Sequence, residues 1–338
     1  MHHSLKHGWD RFRVHLRHII QNGAFFYLLA AMMLTPVWFN PTMKLNSLVQ
    51  DTLFMIDISE SMNVADIDYP QPRTDRLTLA KGAVRESMAS LPCGSRVSVA
   101  LYAGDEFVVL FEPLEVCRHF PAIEQMVSGL NRRMRWIGDS LLTKTLTNAI
   151  ETAAKFNMSL VVLTDGDEMP HAAMPYVNTI LKLRGKVKGL LLGVGGYALQ
   201  PIPRFNERDE LITYWTKEEA VLQGNYPELL AYVRNLAPGE PALEGMLDKV
   251  TEHTSSYNKR SMQVISRAIG FDLVHIDKPA DAINALSDSK FKKYAMADRD
   301  ARWIYGLIAA ALVLIGWFWH LIRTIFMMKW LANVFRIK

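Results

Sequence analysis

The sequence predicts an α/β fold: a doubly wound, mostly parallel sheet with helices on both faces, flanked by two transmembrane helices. Three observations lead there. Runs of strand length alternate with helical periods through residues 51–195 and again through 259–290. Most of those runs are continuously apolar, as strands buried on both faces are. A long apolar stretch without charge stands near each end of the chain.

Taken in order, residues 1–22 form a basic N-terminus with Lys6, Arg11, Arg13 and Arg17 against one acid, Asp10. Residues 23–40 are uncharged and about long enough to cross a bilayer core as a helix. The following TPVWFNPT offers no small-x-small cleavage site, so this segment reads as a retained anchor. The strand-like runs come next: TLFMI (52–56), RVSVALYA (96–103), FVVLF (107–111), SLVVLT (159–164), KVKGLLLGV (186–194) and FDLVHI (271–276). Helical periods begin at Arg76, Phe120, Ser140 and His171, and KRSMQVISRAIG and PADAINALSD add two more. Residues 107–111 turn back on 96–103 about Gly104–Glu106 and add an antiparallel edge.

Residues 196–258 interrupt the alternation with Pro201, Pro203, Pro227, Pro238 and Pro241. They read as an insertion packed on the domain, with a short helix near 227–236. The second apolar stretch, 303–322, spans about 30 Å as a helix. The basic tail 323–338 carries Arg323, Lys329, Arg336 and Lys338 with no acid. Basic flanks stay on the cytoplasmic side, so both tails are expected inside and the 51–290 domain outside, in the periplasm of a bacterial inner-membrane protein.

The net charge of +4 sits in these tails, and the middle is near neutral. No cluster of Lys and Arg with interleaved aromatics offers a face for nucleic acid. Two cysteines remain, Cys93 and Cys117. The hairpin about Gly104–Glu106 sets opposite one another positions whose numbers sum to about 210, as 93 and 117 do. An oxidising compartment permits a disulfide there, with two unpaired buried thiols as the alternative.

Candidate chemistry gathers where the strands end. MIDISESMNVAD (55–66) passes from an apolar strand into Asp57, Ser59 and Ser61 in strict alternation. Asp165 follows the strand in LVVLTDGDE, and IGDSLLTKTL brings Ser140 to a helix start. In open α/β sheets ligands bind at the carboxyl ends of the strands, where these three loops meet. Two carboxylates and three hydroxyls suit a hard cation with oxygen ligands, Mg²⁺ or Mn²⁺ with Ca²⁺ as an option. Neutral hydroxyls leave such an ion electrophilic, with a position open to an outside carboxylate. Taken singly, D-x-S-x-S also suits a helix cap and TDGD a turn.

DISES, TDRLTLAK, GDSLLTKTL and LTDGD together resemble the von Willebrand factor A (VWA) domain. The resemblance implies a metal-ion-dependent adhesion site in which Asp57, Ser59 and Ser61 fill the first motif and Asp165 the last. The family's Thr falls on Ser140 in an ungapped alignment, with Thr143 as the other choice. LPCGSRVSVALYAGDEFVVLFEPLEVC, NRRMRWIGDS and GLLLGVGGYALQPIPRF look closer to the VWA accessory proteins encoded with methanol dehydrogenase (MxaL-like). This implies a role in maturing that calcium-dependent enzyme. The anchor, domain, anchor layout is also similar to the aerotolerance-type VWA proteins, which implies a scaffold working with a chaperone-like ATPase.

The expected function is therefore binding and not catalysis: a bound cation grips an acidic residue of a protein partner. A metal-assisted hydrolase using Asp57 and Asp165 is the competing reading, and it lacks a well-placed base, since His171 and Glu168 lie only loosely nearby. No small-molecule substrate is expected. A structural membrane protein with a vacant site is the plainest alternative.

Overall fold

The computed structural model of the 338-residue chain describes residues 23–39, 41–69, 72–138, 140–168, 174–223 and 253–335. The chain divides into two compact units, residues 1–46 with 296–338, and residues 47–295.

In chain order the first element is α1 (Ala24–Leu34). Pro36 lacks the N–H that would continue the ladder, and the chain tightens into a 3-10 turn over Thr35–Phe39. Next come β1 (Thr42–Val49), β2 (Thr52–Asp57), α2 (Arg76–Ser90) and β3 (Arg96–Ala103). The antiparallel edge follows as β4 (Glu106–Val109) and β5 (Leu114–Glu115), then α3 (Val116–Gly129), α4 (Leu142–Phe156), β6 (Ser159–Thr164), α5 (Met174–Leu181) and β7 (Gly189–Val194). The described part of the insertion forms β8 (Gln200–Pro201), β9 (Pro203–Phe205), β10 (Leu211–Tyr214), α6 (Lys217–Gln223) and β11 (Thr254–Ser255). The chain closes with α7 (Lys259–Ile269), β12 (Asp272–Ile276), α8 (Pro279–Leu286), β13 (Lys293–Asp300) and α9 (Arg302–Phe335).

Seven strands make the central sheet, in the order β12-β7-β6-β2-β3-β4 with β5 also on β3. All its pairs are parallel except those of β4 and β5 with β3. Strands β2, β6 and β7 are buried at every position, which is why their sequences are apolar runs. Alternate residues feed two cores. Phe54, Ile56, Val99, Leu101, Val161 and Leu163 pack with α2, α3 and α8. Leu53, Met55, Tyr102, Leu160 and Val162 pack with α4, α5 and α7. The chain runs from β2 to β3 on one side and returns to β6 on the other, so the carboxyl ends of β2 and β6 form the switch point of the sheet.

Against expectation, the second strand of the hairpin splits. Ala100 faces Val109 in β4, whereas Val97 faces Leu114 in β5, two residues out of step. Cys93 and Cys117 form a disulfide with Cα atoms 5.3 Å apart, and Cys117 stands in the first turn of α3 and not at a strand end. The strand expected over 186–194 begins at Gly189. The helix near 227–236 and the start of the His171 helix lie outside the described residues, as do the basic N-terminus and part of the tail.

Of the two expected spanning helices, one among the described residues is long and apolar enough. Its stretch Arg302–Met328 has 27 residues, with a mean hydropathy of 1.9 over an 18-residue window. The N-terminal pair of α1 and its 3-10 turn reaches about 26 Å, short of the roughly 30 Å of a bilayer core. Within their unit α1 and α9 pack closely at glycines. A Cβ on Gly316 would meet the Phe26 Cβ at 3.1 Å, and the Phe26 and Trp319 rings lie 6.5 Å apart.

Candidate functional site

Asp57, the last residue of β2, is fully buried, and protein groups hold both of its oxygens. Oδ1 accepts from the Ser59 amide at 2.9 Å, the turn that starts the loop. Oδ2 accepts from the Tyr102 hydroxyl at 2.6 Å and the Thr164 hydroxyl at 2.7 Å, with the Ser140 hydroxyl at 3.5 Å. Ser59 and Ser61 bring their hydroxyls within 3.2 Å of each other, and the chain between and beyond them winds into a 3-10 turn, Glu60–Asn63. The loop before α4 is fixed to this turn. Gly138 O accepts the Glu60 amide at 3.0 Å, Arg135 pairs with Glu60 at 2.5 Å, and Ser140 bridges to Gly104 beyond β3. Two loops thus deliver Asp57, Ser59, Ser61 and Ser140 to one buried point.

Asp165 leaves the neighbouring strand end, but its carboxylate is turned to a cation. Arg76, at the first position of α2 and fully buried, donates Nη1 to Asp165 Oδ2 at 2.6 Å and Nη2 to Asp66 Oδ2 at 2.7 Å. The same Nη1 donates to the Ser255 hydroxyl at 2.8 Å. Gly195, at φ +111°, makes room for it: a Cβ there would stand 2.5 Å from Arg76 Nε. Gly166, at φ +72°, lets the T-D-G turn close on α7, since a Cβ would stand 2.4 Å from Met262 Cγ.

The family model of the von Willebrand factor type A domain matches residues 52–168. The chain carries a VWA domain. The match runs from the first residue of β2 to Glu168 and takes in every candidate ligand. Among solved structures the chain is similar to an aerotolerance-related membrane protein from Bacteroides fragilis, at 16% identity over 70% of this chain and 96% of that one, with a TM-score of 0.47. It is similar also to BatB from Bacteroides thetaiotaomicron, at 17% identity over 72% and 98% of the two chains, with a TM-score of 0.47. Comparison with curated proteins gives no match.

The candidate site carries more acidic than basic side chains. Asp57, Asp165, Asp167 and Glu168 gather around it, and Arg76 is the guanidinium among them. Burial, then the charge of Asp165, pushes the Asp57 carboxyl up to about 6. The same two causes push Asp167 up to about 7. Glu168 rises to about 7 through burial, with Asp57 adding to it. Burial works against the charge of Arg76, yet Asp165 and Asp66 hold it above the ordinary arginine range.

Among the described residues, two of the buried oxygens that lack a hydrogen-bond partner lie here, Thr143 Oγ1 and Glu168 Oε2. They belong to one contact, in which the Thr143 amide donates to Glu168 Oε1 at the start of α4. Among the described residues no three His, Cys, Asp or Glu side chains are grouped to hold a metal. Any cation here therefore depends on hydroxyls. Surplus carboxylate charge, adjacent serine hydroxyls and unpartnered oxygens fit a hard divalent cation.

Sequence reasoning missed Arg76, Tyr102, Thr164 and Ser255. Arg76 carries a readable signal. It occupies the same helical stripe as Leu79, Ala80 and Ala83, so a charge stands where the apolar period demands a buried residue. The hydroxyl partners of Asp57 carry no such mark, since Tyr and Thr are ordinary strand residues.

Proposed function

We propose that this chain is a membrane-anchored binding protein whose VWA domain uses a divalent cation, Mg²⁺ or Mn²⁺ with Ca²⁺ as the alternative, to grip an acidic side chain of a protein partner. VWA domains generally mediate protein–protein interaction. Asp57, Ser59, Ser61 and Ser140 would hold the ion as a metal-ion-dependent adhesion site, with Asp165 behind them and Thr143 as the competing loop ligand. The bound cation would supply a positive centre with an open position for the partner's carboxylate. The observation that carries this reading is the buried pair of Ser59 and Ser61 hydroxyls in the loop after Asp57, with the Ser140 hydroxyl 3.5 Å from its carboxylate and with Thr143 and Glu168 oxygens that lack a partner among the described residues.

The chain's own groups do the positioning. Tyr102 and Thr164 fix the Asp57 carboxylate, and Arg76 holds that of Asp165. We favour binding over hydrolysis because the site's two strand-end carboxylates are engaged by protein donors, Asp57 by Ser59, Tyr102 and Thr164 and Asp165 by Arg76, which makes either a poor general base. The Cys93–Cys117 disulfide and the basic tails both support a periplasmic domain with cytoplasmic ends. Helix α9 is the anchor, and α1 packs against it.

The resemblance to the methanol dehydrogenase accessory proteins makes assembly of, or calcium insertion into, such a periplasmic enzyme the role we assign. An apolar helix on either side of the domain favours the second reading, an aerotolerance-type scaffold. Crosslinking the full chain in its native membranes tests the binding claim. Partners should be captured with Mg²⁺ present, lost with a chelator, and lost with Asp57→Ala. The same partner set in all three conditions overturns it.

A further inference from the structure

A cavity of about 380 Å³ opens at the opposite edge of the sheet, against the amino ends of β6 and β7, and lies within residues 47–295. Five lysines line it, Lys186, Lys188, Lys290, Lys292 and Lys293, with Asp51 as the acid in the wall. Asp51 does little to offset them. It is buried and already held by Arg96 at 2.8 Å and Lys293 at 3.1 Å, and although burial works against its charge these cations keep its carboxyl below the usual range. Lys290 pairs with Asp272, and Lys186 stands 3.7 Å from Glu151. Among the described residues Lys188 and Lys292 have no carboxylate partner, and Lys188 donates to the Lys290 carbonyl.

The cluster of six cations against three acids is therefore positive within a concave, partly enclosed space. Like charges collected at this density repel one another, and an unneeded repulsion of this kind is removed by any neutral substitution. A void of this size is at the lower end of ligand pockets, enough for a phosphate with a glycerol-sized substituent. Ammonium groups converging from separate segments are point-charge donors to phosphate oxygens. We propose that this cavity binds a phosphate-bearing anion, with Lys188 and Lys292 as its principal contacts. The proposal is independent of the cation reading at the other edge. Lys293 is nine residues before Arg302, the first residue of the apolar helix, so a lipid headgroup is one source of the phosphate and a soluble phosphate ester the other.

Lysine acetylation of the full chain in phosphatidylcholine nanodiscs, read by mass spectrometry, tests this and separates the sources. At ten times its dissociation constant, glycerol 1-phosphate should slow labelling of Lys188 and Lys292 about tenfold while Lys259 is unchanged, because only the free fraction reacts. If the source is lipid, the protection appears instead on replacing phosphatidylcholine by phosphatidylglycerol. In either case Lys188→Ala/Lys292→Ala, which breaks no ion pair, should melt as wild type yet lose the melting shift produced by the protecting probe. Unchanged labelling under both conditions, protection equal at Lys259, or a shift retained in the double variant overturns the proposal.

Discussion

Replacing Arg76 by Met keeps much of the side-chain volume and removes the charge that Asp66 and Asp165 share. Both carboxylates are nearly or fully buried, at 5% and 0% side-chain exposure. Removing one partner of a buried pair costs about 3–5 kcal/mol, because the remaining charge is stranded. Each stranded carboxylate has an escape, which is to take up a proton. For a group of ordinary pKa near 3.9 this costs about 4 kcal/mol at pH 7 and about 1.5 kcal/mol at pH 5, at 1.36 kcal/mol per pH unit. The loss of stability should therefore be about 3–5 kcal/mol at pH 7 and should shrink by half or more at pH 5. For a unit of this size the pH 7 loss lowers the melting temperature by roughly 6–20 °C. Thermal melting of wild type and Arg76→Met in detergent at both pH values measures it, and Asp66→Asn in the variant background should recover part of the loss. A loss below about 1 kcal/mol, or one equal at both pH values, would refute the reasoning that Arg76 compensates buried carboxylates.

Three further outcomes are expected. Asp57, Asp167 and Glu168 have folded pKa values near 6 to 7, above those of the unfolded chain, so the fold takes up protons and their contribution to stability is lost as pH rises from about 4 to 7. Saturating Mg²⁺ should consequently raise the melting temperature more at pH 7.5 than at pH 5; an equal or inverted effect contradicts the charge argument. Ser140→Ala should weaken cation binding more than Thr143→Ala, since the Ser140 hydroxyl reaches Asp57, and the opposite ranking in a calorimetric titration would make Thr143 the loop ligand. Cys93→Ser/Cys117→Ser opens a loop of sequence separation 24 and should cost about 3 kcal/mol in the chain-entropy account, read as a lower denaturant midpoint, with no loss contradicting it.

How far the sequence could be read depended on whether a residue's role leaves a periodic trace. Strands β2, β3 and β6 are apolar on both faces and were legible as continuous runs, and the alternating DISES loop announced a site at the end of one of them. β1 and β13 went unseen. Their residues are mostly exposed, and KYAMADRD has neither the alternation nor the apolar run that marks a strand. The split of the hairpin's return strand into β4 and β5 was hidden for another reason: register is set by local twist and turn geometry, and hydrophobicity does not encode it. In the site, the clustering of Asp57 with Ser59, Ser61 and Ser140 followed from strand order, whereas the capture of Asp165 by Arg76 depends on Gly195 opening a path for a side chain 119 residues earlier in the chain.

Calorimetric titration of Mn²⁺ into the detergent-purified full chain at pH 7.5, beside Asp57→Ala with circular dichroism as a fold control, tests the central claim most directly. One divalent ion should bind the wild type, weakly because waters and an open position remain, more tightly with a carboxylate ligand present, and not at all to the folded Asp57→Ala chain. Absence of saturable uptake by the wild type, or equal uptake by a folded Asp57→Ala chain, would contradict the reading of this loop cluster as a cation site.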